Sequence, residues 1–328
     1  MDIARPFIRL PFSFDAARLA QEAAALPTDA WMAHPLGLRG NSAVPLISCG
    51  GADNDSFHGC MSVTAHCVAC SYVQQVMAAF GEVLGRSRFM RLAPGCEVSE
   101  HIDFNYHWYT RVRIHIPVVT NPEVKFYCAD EQVHMRPGEC WIFNSWRQHR
   151  VVNGGQADRI HLVLDAAGSS RFWRTVRRMQ EFDPRTDTEA IDAMLRHVPW
   201  EPGRRVTVET EQFNIAPVMS PGEIDALVAE LTRDFSQNPD NDRQRVNHYA
   251  NLLWDFSRDW REIWHRFGYG QAGWPHYQAA IALVHGQLHP DPRALVTLSN
   301  GIGVNRVIVH RILKPALATD QVERFLSA

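Results

Sequence analysis

RVRIHIPVV, residues 111–119, decides how the chain is read. Arg111, Arg113, His115 and Pro117 alternate with Val112, Ile114 and Ile116, so a period of two puts a polar and an apolar set on opposite faces of a strand. The runs around it have the same character: RFMRLA (88–93) before Pro94-Gly95, VKFYCA (124–129) before Asp130-Glu131, and QVHM (132–135) before RPGE. CWIFN (140–144), HRVV (149–152) before NGG, and RIHLVLD (159–165) follow. Many short strands cut by turn residues in one block predict a sandwich or barrel of the jelly-roll kind.

On either side of this block the period is helical. FDAARLAQEAAAL (14–26) and SYVQQVMAAFGEVLG (71–85) read as helices. Residues 166–219, with a basic run from Arg171 to Arg178 and four prolines, read as a connecting segment with some helix. Ser220-Pro221-Gly222-Glu223 is a capping box with a proline at the first helical position, ahead of Ile224, Leu227, Val228, Leu231 and Phe235 at helical spacing. Helices are expected to continue to the end. The expected class is mainly β with α: a double-stranded β-helix (jelly roll, cupin-like) with N-terminal helices over residues 1–168, and a helical C-terminal domain over 169–328.

The 328 residues carry 33 Lys and Arg against 36 Asp and Glu, a net charge of −3 that gives no general attraction to nucleic acid. No stretch approaches a membrane span, and charged residues interrupt the N-terminal apolar run, so neither membrane nor export is expected. Seven cysteines are then read as cytoplasmic thiols. Cys67-Val68-Ala69-Cys70 lacks a second pair to complete four ligands and runs into a helix, which favours buried thiols over zinc or redox chemistry. The tail LSNGIGVNRVIVHRIL (298–313) faintly suggests a helix-turn-helix, but a helical core with a basic face fits it better.

The composition includes 16 histidines, the commonest metal ligand type. His101-Ile102-Asp103 follows RFMRLA and its turn, and in an extended segment both side chains project the same way. His149, 46 residues on, opens a later strand that can bring a third ligand back. Two His and one Asp on one side of an ion, with positions left open, suit non-haem Fe(II); zinc fits the same ligands but prefers a more closed shell. Ten residues further, Arg159 offers a fork for a carboxylate and shares a strand face with His161 and Val163. Beside a metal, the polar face of RVRIHIP expects an anion. Arg91, alternating with Phe89 and Ala93, is expected to face the cavity as a substrate-carboxylate partner, while Asn105, Tyr106, His107 and Trp108 would shape a substrate pocket or lid. Trp141 and Phe143 are expected in the core.

LAPGCEVSEHIDF (92–104), RVRIHIPVVTNPEVKFYC (111–128), MRPGECWIFNSWRQHRVVNGG (135–155) and DRIHLVLD (158–165) together resemble the aspartyl/asparaginyl β-hydroxylase family, including its bacterial branch of proline hydroxylases. The resemblance spans roughly residues 40–166. It implies that His101, Asp103 and His149 ligate Fe(II), that Arg159 pairs the distal carboxylate of 2-oxoglutarate, and that Arg113 and His115 lie near this co-substrate. The animal enzymes carry a small residue where this chain has Asp103, so the chain sides with the free amino acid hydroxylases. The function implied is hydroxylation of an unactivated C–H bond of an amino acid or amino-acid-like substrate by O2, releasing succinate and CO2. The same chemistry on a peptide or protein Asp or Asn side chain, and a non-catalytic cupin-like metal-binding regulator, are the alternatives. A homodimer through the helical C-terminal domain is a further expectation.

Overall fold

A computed structural model describes residues 3–319. The outermost residues of both expected domains, 1–2 and 320–328, lie outside the described residues. In chain order the elements are β1 (Phe7–Phe14), α1 (Ala16–Ala25), β2 (Met32–Ala33), β3 (Asn41–Cys49), β4 (Met61–Val63), α2 (Ala65–Ala69), α3 (Ser71–Phe80) and β5 (Leu84–Leu92). They continue with β6 (Glu97–His101), α4 (Tyr106–Thr110), β7 (Val112–Val119), β8 (Val124–Cys128), β9 (Glu131–Val133), β10 (Glu139–Phe143), β11 (His149–Asn153) and β12 (Arg159–Ala166). After these come α5 (Ser170–Met179), α6 (Thr188–Asp192), β13 (Arg196–Val198), α7 (Pro221–Gln237), α8 (Arg243–Phe267), α9 (Trp274–Gln287) and α10 (Val304–Val307).

From β5 onward the chain passes back and forth between two sheets, with β8 and β9 a hairpin within the smaller one. The larger runs β13-β1-β10-β7-β12-β5-β3-β2, with β4 beside β3; the smaller runs β6-β11-β8-β9. The pairings are antiparallel except β1 with β13. Phe126 of the small sheet packs against Phe143 and His115 of the large one, with centroids 5.5 and 5.4 Å apart. This is the expected double-stranded β-helix.

Alternation gives the large sheet two different faces. Ile8, Leu10, Ile114, Ile116, Cys140, Ile142, Leu162 and Leu164 point outward into the main core with residues of α1, α3 and α5. The opposite face carries Phe7, Trp141, Phe143 and Leu92 into a second cluster with Val124, Phe126 and Val151 of the small sheet. Trp141 and Phe143 are therefore buried as expected, but in the lining between the sheets. The helices are fixed by polar caps: Asp15 accepts from the Arg18 amide, and the Glu22 carboxylate accepts from the Tyr72 and Val73 amides at the start of α3. Helix α3 stops at Phe80, short of the expected Gly85, because Gly81 turns left-handed (φ 61°) and Leu84 already starts a strand.

Contacts divide the chain into residues up to Asp103 plus Thr110–Gln212, and Phe104–Tyr109 plus residues from Phe213 on. The boundary thus falls at 212/213 where the sequence suggested 168/169. The physical reason is that β13 extends the sheet beside β1, Thr210 bridges Leu84, and Glu211 holds Arg111 in a buried two-point ion pair (2.8 and 2.9 Å). The second unit is helical. Its α7 has the expected capping box, Ser220 accepting from the Glu223 amide, and the expected buried stripe. Trp260 of α8 packs on Phe256 and Tyr277. Arg311 is buried there against Glu230 and donates to the Phe104 carbonyl, so one of the cations behind the helix-turn-helix resemblance is spent inside the unit. Among the described residues no helix is long and apolar enough to cross a membrane.

Removing one partner of a buried ion pair strands the other's charge. Glu211→Ala should therefore destabilise the first unit by about 3 kcal/mol in urea unfolding of the full chain. A loss below about 1 kcal/mol would show that Arg111 finds another partner.

Candidate metal centre

The 46-residue gap between the expected ligands is closed by strand register. β6 and β11 pair antiparallel with His101 directly opposite His149, and their rings lie 4.2 Å apart. Asp103 sits just past β6, its amide donating to the Ser145 carbonyl. One Asp103 carboxylate oxygen is 3.9 Å from His101 Nε2 and the other 3.8 Å from His149 Nε2. A ligand atom from each of the three residues lies within 4.8 Å of the others.

The donor chemistry suits a cation. His149 Nδ1 is 2.9 Å from the Arg147 carbonyl and His101 Nδ1 is 2.8 Å from that of Ser99. A carbonyl only accepts, so each Nδ1 carries a proton and each ring turns its Nε2 toward Asp103. Burial drives the His149 pKa down to about 4 against the opposing pull of Asp103, leaving that ring neutral at pH 7. Asp103 Oδ2 has no hydrogen-bond partner.

Further along the interior, β12 points Arg159, His161, Val163 and Asp165 to one side, and its register sets His115 opposite Val163 and Arg113 opposite Asp165. Arg159 is only 3% exposed, and its Nε and Nη2 have no hydrogen-bond partner. Its guanidinium stands over Phe126, 5.4 Å from the ring centroid, and burial lowers its pKa to about 9. His115 and His161 are buried 5.7 Å apart, and none of their four ring nitrogens has a hydrogen-bond partner. Unmet donors on a buried cation cost free energy unless an anion satisfies them. Arg113 bridges toward the other end, with Nε 3.5 Å from Asp165 and Nη1 3.9 Å from Asp103. His161 was not singled out from sequence; the signal was its place two residues after Arg159 on the same face.

Other expected site residues lie elsewhere. Arg91 does not face the interior: it donates to Ser42 Oγ, stacks on Trp31 and approaches Asp158. The register puts Arg88 and Met90 on the inner face instead, opposite Val163 and His161. Arg111 is occupied by Glu211. Asn105, His107 and Trp108 lie in the segment assigned to the helical unit, where Tyr106 and Tyr109 donate to Glu223 and Glu230 of α7. Within that segment Asn105 accepts from the Trp108 amide, and His107 packs edge-on against the Trp108 ring. Cys67 and Cys70 are buried with pKa values raised to about 12, and Cys67 Sγ touches the Met77 sulfur, as expected of core thiols.

Fold and site together give a double-stranded β-helix that carries a His-Asp-His cluster able to hold a metal ion. Residues 14–168 match the aspartyl/asparaginyl beta-hydroxylase family. Among solved structures the chain is similar to an oxidoreductase of the 2OG-Fe(II) oxygenase family from Burkholderia pseudomallei, at 13% identity over 47% of this chain and 78% of that one, TM-score 0.33. It is similar too to a cupin domain from Bordetella pertussis (16%, 25% and 79%, TM-score 0.21) and to a protein with a double-stranded beta-helix domain from Klebsiella pneumoniae (16%, 26% and 69%, TM-score 0.21). With scores this low, the fold rests on the strand order and register above. No curated protein sequence matches the chain significantly.

Burial, then the charge of Arg159, holds His115 and His161 neutral with pKa values well below 6.5. Each gains a proton on unfolding below about pH 6.5, so its contribution to stability is complete above that pH and is lost as pH falls. Between pH 7.5 and 5.5 the expected loss is about 1.4 kcal/mol per histidine. Urea unfolding at both pH values should show His161→Leu losing about that much less than the wild type; equal losses would contradict a neutral, buried His161.

Proposed function

We propose that the protein is an Fe(II)- and 2-oxoglutarate-dependent dioxygenase that hydroxylates an unactivated C–H bond of an amino-acid-like substrate, with release of succinate and CO2. The observation that carries the reading is the buried Arg159, its Nε and Nη2 unsatisfied, on the same interior surface as the His-Asp-His cluster. A metal cluster alone would suit a sensor or a structural ion. A metal cluster with an unmet buried cation calls for a metal-bound anion that reaches further into the barrel.

In this reading His101, Asp103 and His149 would hold Fe(II) through their two Nε2 atoms and a carboxylate oxygen. Arg159 receives the far carboxylate of 2-oxoglutarate, with His115 and His161 beside it as neutral donors. Arg113 approaches the Asp103 oxygen that also faces His149 and so orients the carboxylate. When bound, iron and 2-oxoglutarate supply oxidative decarboxylation coupled to insertion of an oxygen atom from O2 into C–H. Phe126, Phe143 and Trp141 line the interior and exclude water, which sharpens every charge interaction within it. A cytoplasmic setting belongs to the same proposal and is supported by seven cysteines that are all free thiols.

Arg159→Ala should weaken 2-oxoglutarate binding to the metal-loaded protein at least 100-fold in calorimetric titration, about the 3 kcal/mol of a charge-assisted pair. Iron stoichiometry should stay near that of the wild type. Unchanged 2-oxoglutarate affinity would remove Arg159 from the co-substrate site.

A further inference from the structure

The chain leaves the first unit immediately after a residue of the cluster: Asp103 is the last of that stretch, and Phe104–Tyr109 belong to the helical unit. His101 and His149 are fixed by the pairing of β6 with β11, whereas Asp103 lies two residues past the end of β6. Its amide donates to the Ser145 carbonyl (3.0 Å), which anchors it from the barrel side. On the other side a planar peptide joins it to Phe104 and holds the two Cα atoms about 3.8 Å apart. Whatever fixes Phe104 therefore limits where the Asp103 carboxylate can go.

Within the helical unit Phe104 is gripped at both backbone and ring. Arg311 Nε donates to the Phe104 carbonyl (3.3 Å), the His310 ring meets the Phe104 ring edge-on at 5.6 Å, and the Arg306 guanidinium stands 4.7 Å from that ring's centroid. The Arg311 guanidinium also covers the Tyr109 ring at 4.7 Å and lies 3.5 Å from Glu230, the α7 carboxylate that accepts the Tyr109 hydroxyl (2.7 Å). Tyr106, between them, donates to Glu223 of the same helix. Both ends of the segment thus converge on Arg311, which is only 4% exposed.

The stretch that carries Arg311 departs from a regular α-helix. Ile308–Leu313 is a π-helix, in which hydrogen bonds join residues five apart and the turn is wider. Arg311 is five residues on from Arg306, so the wide turn brings it back above Arg306 and lets both, with His310, reach Phe104 and Tyr109 together. At 3.6 residues per turn Arg311 would point well away from Arg306. π-Helical turns occur frequently at functional sites.

We infer that Arg311 is a positioning residue for Asp103: through the Phe104 carbonyl it fixes the chain that follows the ligand and so sets the carboxylate against the two histidines. This rests on reading His101, Asp103 and His149 as one metal centre, and it gives the helical unit a part in that centre.

The test is anaerobic Co(II) titration of the metal-free, full-length protein as wild type, Arg311→Met, Asp103→Ala and the double variant. Affinity is read together with the visible ligand-field absorption, which reports the donor set. Arg311→Met should weaken Co(II) binding about ten-fold or more, as when a residue that orients a ligand is removed, and should shift the absorption toward that of Asp103→Ala. In the Asp103→Ala background the same substitution should change affinity by less than about two-fold, because the residue it acts through is gone. Arg311→Lys, which keeps a donor, should lose only part of the affinity. Should Arg311→Met fail to fold, Arg311→Lys in both backgrounds decides by the same comparison. Equal losses in the two backgrounds would assign Arg311 to general stability, and unchanged affinity and absorption would detach it from Asp103; either overturns the inference and leaves the metal centre standing. A wild-type protein that takes up no Co(II) would overturn the metal reading, and this inference with it.

Discussion

The antiparallel pairing of β6 with β11 is the constraint on which the centre depends, because it places His101 across from His149 and brings Asp103 round beside both. β6 is largely exposed and buries little side-chain surface of its own, so β11 must hold it in register. β11 is fixed in turn by five paired positions with β8, whose Phe126 is wedged against Phe143 and His115 of the large sheet. A slip of one residue between β6 and β11 would turn one ring away from the other. The ligand set is therefore a property of sheet register, and a run of apolar contacts well away from the ligands maintains it.

The large sheet makes the rest of the arrangement possible by serving two solvents. Its outer face pays for stability through aliphatic contacts with α1, α3 and α5, which frees the inner face to carry groups that destabilise the fold when no ligand satisfies them. Along β12 alone the inner positions are Arg159, His161, Val163 and Asp165, so one strand spans both the unmet cation and the acid that steadies Arg86 and Arg113. Buried polar groups without partners are uncommon in folded proteins. Their concentration on this one face is why the interior reads as a binding site rather than as a second core.

Much of this was legible in the sequence, for reasons that differ residue by residue. His101 and Asp103 are two apart in extended chain, and the strands from RFMRLA to RIHLVLD are marked by turn residues, so the jelly-roll block and the face holding Arg113 and His115 could be read locally. A period of two separates faces but does not say which looks inward: alternation allows Arg91 to face the cavity, whereas the register turns Arg91 outward with Phe89 and puts Arg88 and Met90 inside. β1 and β3 escaped notice because FIRLPFSF and NSAVPLISC mix prolines and small polar residues into short apolar runs. The domain boundary and the capture of Arg111 depend on Glu211, a partner 100 residues away that no local pattern announces.

The central claim is that the His-Asp-His cluster and the buried arginine serve one metal-bound anion, and one anaerobic titration tests it most directly. Fe(II) is added to the metal-free, full-length protein, followed by 2-oxoglutarate, and visible absorption is followed as each is added. A charge-transfer band that appears only with both, saturating at one 2-oxoglutarate per chain and absent from His149→Ala, is the predicted result. Tight iron binding with no new absorption on adding 2-oxoglutarate, or a band of equal strength in His149→Ala, would contradict it.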